Sequence, residues 1–201
     1  MKYSELQRIV RAPVFSRQDL RQLGARLFSY QLSLWQKRGH LLKLKNGLYA
    51  FADRLAELSP EEISGLLYSP SCLSLEKALA GYGLIPEMVY TLTLITPKTT
   101  RKFKNYLGSF SYRHVKPSLF FGYRQVKGKF FPYLLAEPEK ALLDYIYLNL
   151  SKIKTETDIK ELRLNWPAAK KTINKARLRK YLAVYGHKRM KVACAQILDK
   201  I

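Results

Sequence analysis

The sequence predicts an α+β protein with a small winged helix-turn-helix over residues 1–57. A mixed α+β domain follows over residues 58–201, with a mainly antiparallel sheet and a basic helical C-terminus. Three observations predict this. Short capped helical segments near the N-terminus lead into an Asn-Gly turn between two apolar runs. Period-two segments between residues 90 and 136 are flanked by helical ones. Positive charge is concentrated at the two ends of the chain.

Each element can be justified in order. Ser4-Glu5-Leu6-Gln7 has the spacing of a capping box, so a first helix runs to about Val10 before Pro13 breaks it. Ser16-Arg17-Gln18-Asp19 caps a second short helix, which Gly24 ends. A third is expected from about Arg26 to Arg38, with Phe28, Leu32 and Trp35 as its core stripe. Next, Asn46-Gly47 interrupts an alternating run from Leu41 to Phe51, which is a strong hairpin signal. Three helices and then a hairpin is the order of a winged helix-turn-helix.

Leu58-Ser59-Pro60-Glu61-Glu62 is a strong helix start and places the boundary near residue 57. Another helix is expected from Ser74 to Tyr82. Strands follow at Tyr90–Thr96, Phe110–Val115, Leu119–Val126 and Phe130–Ala136, the last two joined through Lys127-Gly128-Lys129. Pro138 opens a helix running to Leu148. Asn174 caps a helix with Leu178, Tyr181, Leu182 and Tyr185 inward, and a last helix turns Met190, Ala193, Cys194 and Ile197 inward.

The net charge is +21, from 36 basic and 15 acidic residues, and its distribution is uneven. Residues 1–55 carry 11 basic and 3 acidic side chains. Residues 56–150 carry 11 and 8, and residues 151–201 carry 14 and 4. Cationic patches attract polyanions by releasing condensed counterions.

The third helix therefore becomes a candidate recognition helix, whose N-terminal residues would meet base edges in double-stranded DNA. Arg26, Ser29, Tyr30 and Ser33 lie on its polar side and are the expected base readers. Lys37 and Arg17 are placed for phosphates. Lys43, Lys45 and Asn46 sit at the wing, where they could touch flanking backbone. The same residues also read as ordinary solvated faces. Near the C-terminus, Lys171, Lys175, Arg179, Lys180, Lys188 and Arg189 form a possible second polyanion surface, for flanking DNA or for RNA.

Three blocks carry a resemblance. They are Ser74-Leu75-Glu76-Lys77-Ala78-Leu79-Ala80-Gly81-Tyr82-Gly83-Leu84-Ile85-Pro86-Glu87, Leu119-Phe120-Phe121-Gly122-Tyr123 and Ala136-Glu137-Pro138-Glu139-Lys140-Ala141-Leu142-Leu143-Asp144. In this order, behind a winged helix, they resemble the AbiEi antitoxin family of abortive-infection systems. The resemblance covers roughly residues 5 to 150. It implies a repressor of its own operon acting at operator repeats. It also implies an antitoxin domain opposing a nucleotidyltransferase-like toxin, in a type IV arrangement where direct contact is not required. None of that second role is visible in periodicity or charge. Pro138 and Glu139 read as a helix start, and Lys140 with Asp144 as an i, i+4 pair on it.

Other function classes find little support. His40, His114 and His187 have no ligand spacing, and no nucleophile or phosphate-loop motif occurs, so no enzyme, metal or cofactor is expected. Two cysteines are too few for a disulfide framework. With no membrane span and no secretory signal read at the start, the expected location is cytoplasmic. The alternative to an antitoxin is a stand-alone winged-helix regulator whose second domain senses a ligand or dimerises.

Overall fold

The computed structural model describes residues 1–153 and 163–201, and the chain is a mixed α+β protein. Its N-terminal elements are α1 (Tyr3–Ile9), β1 (Val14–Ser16), α2 (Arg17–Gln22), α3 (Ser29–Lys37), β2 (Leu41–Lys45) and β3 (Leu48–Phe51). A turn at Ala52–Glu57 leads to α4 (Pro60–Leu67), β4 (Cys72–Leu73), α5 (Leu75–Gly81) and β5 (Leu92–Thr96). Then come β6 (Arg101–Asn105), β7 (Gly108–His114), β8 (Tyr123–Val126), β9 (Tyr133–Ala136) and α6 (Pro138–Leu148). The C-terminal helices are α7 (Trp166–Thr172), α8 (Lys175–Tyr185) and α9 (Lys188–Lys200). Among the described residues no helix is long and apolar enough to cross a membrane.

Capping chemistry sets the helix starts. At α2 the Asp19 N–H donates to Ser16 Oγ at 3.1 Å and the Ser16 N–H to Asp19 Oδ2 at 2.7 Å. Ser59 and Glu62 do the same at α4. The first helix begins earlier than expected, because Glu5 takes the N–H of Lys2 and leaves Ser4 inside the helix.

The wing is a two-residue hairpin, with Lys45 opposite Leu48. Of its turn residues only Gly47 has positive φ, at 79°. A bulge between Lys43 and Lys45 absorbs the mismatch, which is how a hairpin accommodates a single left-handed glycine. The strand β1, not expected from the sequence, pairs with the other side of β3.

The larger sheet has the order β6-β7-β5-β4-β9-β8. Three of its ladders are antiparallel (β4–β5, β6–β7, β8–β9) and two are parallel (β4–β9, β5–β7). Central β4 is too short to show any period in sequence, and β6 reads as a charged stretch rather than a strand.

Strand β3 explains how the halves join. Its four residues are all buried, and they alternate between two cores. Tyr49 and Phe51 enter the winged-helix core with Leu6, Phe15, Leu20, Leu32 and Trp35. Leu48 and Ala50 enter a second core with Ile63, Leu67, Leu94, Phe110 and Tyr112. A strand buried on both faces reads as a continuous apolar run, as Leu-Tyr-Ala-Phe does. The boundary near residue 57 is therefore a boundary along the chain that the packing crosses. A third core joins α5 and α6 to α7, α8 and α9 through Leu79, Leu142, Ile146, Ala169, Leu178, Met190 and Ile197.

Candidate nucleic-acid interface

The exposed side of α3 follows from what its other side buries. Leu32 and Trp35 go into the winged-helix core, and Gln31 goes with them. The Gln31 carboxamide accepts the Phe28 N–H at 3.1 Å and donates to the Met1 carbonyl at 2.7 Å, so its burial leaves no polar group unmet. Ser29, Tyr30, Ser33, Leu34 and Lys37 are left facing solvent. Four of the expected DNA-contacting residues thus share one open face: Ser29, Tyr30, Ser33 and Lys37.

Two expectations about this helix need correction. It starts at Ser29, three residues later than expected, so Arg26 belongs to the preceding loop. There its guanidinium lies over the Phe28 ring at 5.4 Å. Phe28 was expected in the core and is instead 48% exposed, since it precedes the helix with extended backbone and is not carried onto the face that buries Leu32 and Trp35.

Arg17 links the parts of this surface. Its guanidinium donates to Ser29 Oγ at 3.1 Å, and its N–H to the Gly47 carbonyl at 3.3 Å, so the N-termini of α2 and α3 sit beside the wing tip. Arg17, Arg21 and Arg26 line a surface cavity of about 400 Å³ together with Leu20, Gly24, Ala25 and Leu27. Arg21 was missed from sequence, although it lies one helical turn after Arg17 and so on the same side. Arg17, Arg21, Arg26 and Lys37 form no ion pair among the described residues. This geometry suits an anion better than a carboxylate-paired surface would.

The wing cations divide. Lys43 and Asn46 are exposed. Lys45 is not a free wing cation, because its ammonium donates to the Leu67 carbonyl at 2.9 Å, at the end of α4. Burial holds its pKa below the ordinary lysine value, with help from nearby Lys98 and Arg101. Lys45 thus ties the wing to the larger domain. Asn105 does the same from β6, donating to the Leu44 carbonyl at 3.4 Å.

On the C-terminal helices, Lys171, Lys175, Arg179, Lys180 and Lys188 are exposed and form no ion pair among the described residues. Arg189 differs from the expectation. Its guanidinium donates to the carbonyls of Leu150 and Ile153 at 2.7 and 3.1 Å, so it fastens α9 to the chain after α6.

The three sequence blocks beginning at Ser74, Leu119 and Ala136 meet in the interior. Lys140 and Asp144 of α6 are both fully buried and form an ion pair. Asp144 also accepts from Ser74 Oγ at 2.8 Å and from the Tyr185 hydroxyl at 2.7 Å. The Lys140 ammonium donates to Tyr185 at 3.0 Å and lies 5.3 Å from the Phe121 ring centre. Tyr82 donates to the Ala136 carbonyl at 2.8 Å. Burial pushes the Asp144 carboxyl up and the Lys140 amine down, while each partner's charge opposes that shift. The i, i+4 spacing was legible in sequence, but its complete burial was not.

A further concavity, of about 610 Å³, lies along the seam between the halves. Ile9, Val10, Phe15, Leu23, Leu48, Leu66 and Phe131 give it apolar walls, with Arg11, Asp19 and Lys45 among its polar residues. Among the described residues no group of three or more His, Cys, Asp or Glu is placed to hold a metal. No protein-family model matches the chain, and no curated protein matches it significantly.

Proposed function

We propose that the chain is a DNA-binding transcriptional regulator that represses its own operon, and that its larger domain acts as an antitoxin of the AbiEi type. One observation carries the DNA half. The outward face of α3 is open, and Arg17, Arg21, Arg26 and Lys37 surround it with no carboxylate partner among the described residues. A helix of this kind, set beside a wing, fits a major groove with flanking phosphates on either side.

The antitoxin half rests on the three sequence blocks. Their convergence on Lys140 and Asp144 supports reading them as a unit that holds one fold core together. The partner would be a nucleotidyltransferase-like toxin that need not touch this chain.

The test is binding of the full-length chain to the duplex upstream of its own gene. A shuffled duplex of equal composition serves as reference. The expected result is at least tenfold tighter binding to the upstream duplex, with affinity falling steeply as salt rises. Equal binding to both duplexes would remove the regulator reading. Co-expression with a neighbouring nucleotidyltransferase-like gene tests the other half, and failure to restore growth would remove it.

The seam concavity favours a second reading. A cavity of about 610 Å³ with apolar walls, between a DNA-binding unit and another domain, suits a small ligand that adjusts one against the other. The chain would then be a stand-alone winged-helix regulator with a sensing domain. Growth rescue from a toxin separates it from the first reading.

A further inference from the structure

We propose, resting on the DNA-binding reading above, that the outward face of α3 recognises the methyl groups of thymines in a major groove through Phe28, Tyr30 and Leu34. The solvent side of a surface helix is ordinarily polar. Here two large apolar side chains, Tyr30 and Leu34, occupy it, exposed by 67% and 40%, and Phe28, 48% exposed, adjoins them from the residue before the helix. They are continuous. Tyr30 and Leu34 stand one helical turn apart on the same side, and the Phe28 and Tyr30 rings are stacked at 5.9 Å with 20° between their planes.

The surroundings decide what this patch fits. Arg17, Arg21 and Arg26 lie at the start of the helix and Lys37 at its end, and α3 contains no acidic residue. Nearby Asp19 is engaged in capping the Ser16 N–H. A second copy of the chain would bring the same cations against these and be repelled. A polyanion would be attracted. The partner must therefore be a polyanion with an apolar feature inside its groove. Among major-groove base edges that feature is the C5-methyl of thymine. Ser29 and Ser33 remain to hydrogen-bond the neighbouring edges.

Burying one methyl corresponds to about a fourfold change in affinity. The experiment begins with selection of a preferred duplex from a random library by the full-length chain. That duplex is then remade with uracil in place of each thymine in turn. Uracil keeps every hydrogen-bonding group and removes only the methyl. The wild-type chain is expected to lose about fourfold at each contacted thymine. F28A and L34A are expected to bind more weakly and to lose the thymine–uracil difference at matching positions. Y30F is expected to retain it, since the ring and not the hydroxyl makes the contact. Melting curves establish that each variant is folded. Should F28A fail to fold, L34A and the uracil series on the wild type decide.

Indifference to uracil at every position overturns the proposal while leaving DNA binding intact. So does an unchanged thymine–uracil difference in the variants. Self-association that F28A or L34A abolishes would assign the patch to an interface between copies, which also overturns it. If no duplex is enriched, the sequence-reading function itself falls, and this proposal with it.

Discussion

The charged side chains of α6 and those around α3 have opposite surroundings. Lys140 and Asp144 are fully buried, and each is satisfied by the other and by Ser74 or Tyr185. Arg17, Arg21, Arg26 and Lys37 are exposed and lack any carboxylate partner among the described residues. The comparison teaches where charge serves folding and where it serves a partner. A buried charge must be paired, because desolvation is costly, and so it becomes structural. A solvated cation costs folding little and raises the local potential, so it remains available to an anion.

The sharpest way to break this comparison is to remove one member of the buried pair. D144A leaves Lys140 buried with one hydroxyl partner, and should destabilise the protein by about 3–5 kcal/mol. K140M should act in the same direction. The double variant K140M/D144L should recover most of the loss, since apolar replacements of similar volume need no pairing. Denaturant unfolding measures all three. A double variant as unstable as D144A would mean that packing, not unpaired charge, dominates there.

Glu62 extends the buried side of the comparison to a carboxylate with no cationic partner among the described residues. Burial works against its ionisation. Even so, N–H groups of Phe130, Phe131 and Ser59 together hold its pKa below the ordinary value of 4.5. The Phe130 and Phe131 bonds are 2.7 and 3.1 Å long. A folded pKa below the unfolded one gives stability that is present above the unfolded value and is lost as pH falls through the folded one. Stability should therefore decline as pH drops below about 4.5. E62Q should lower stability near neutrality by about 1–2 kcal/mol and flatten this acid limb. An acid limb of unchanged steepness in E62Q would take Glu62 out of it. Gly128 belongs to the same arrangement, since a Cβ there would collide with Glu62 Oε1 and the Phe131 carbonyl. Alanine at 128 should push the carboxylate off the loop.

The sequence revealed the local elements better than the long-range ones, and the reason is physical. Capping pairs such as Ser16–Asp19 and Ser59–Glu62, and the Asn46-Gly47 turn, are settled within a few residues, so spacing alone exposes them. Burial depends on what arrives from far along the chain. Lys140 was legible as half of a helical pair, but Phe121 and Tyr185, the latter 45 residues later, help to close it from solvent. Phe28 was misplaced for a related reason. The helix begins one residue after it, so Leu32 and Trp35 keep the buried stripe while Phe28 stands outside the helix. Along α3 the exposed polar residues were legible as candidates, whereas the apolar Leu34 was passed over because it does not fit a simple polar-face rule. Lys45 was read as a wing cation because nothing near it in sequence foretells the Leu67 carbonyl.

Lys45 also marks the middle of the comparison, being half-buried and bonded to a backbone carbonyl. K45A should cost about 1 kcal/mol of stability by loosening the wing from α4. It should change the salt dependence of DNA binding little. A salt slope reduced by a full unit would return this ammonium to the DNA surface.

The smallest stability effect and the clearest functional one belong to Lys37. Its ammonium is solvated, makes no ion pair among the described residues and lies at the last turn of α3, where a cation gains slightly from the helix dipole. K37A should therefore alter stability by no more than about 0.5 kcal/mol. If Lys37 meets a phosphate, its removal should release about one fewer counterion on binding. The slope of log affinity against log salt would then fall by roughly one unit. The loss should be equal on preferred and shuffled duplexes, because phosphate contacts carry no sequence information. A loss confined to the preferred duplex would make Lys37 a base reader. A slope unchanged by K37A would place the far end of α3 outside the contact and shorten the interface to the cationic ring at its start. In that event the division between structural and available charge would still hold for α6, but it would have to be redrawn along α3.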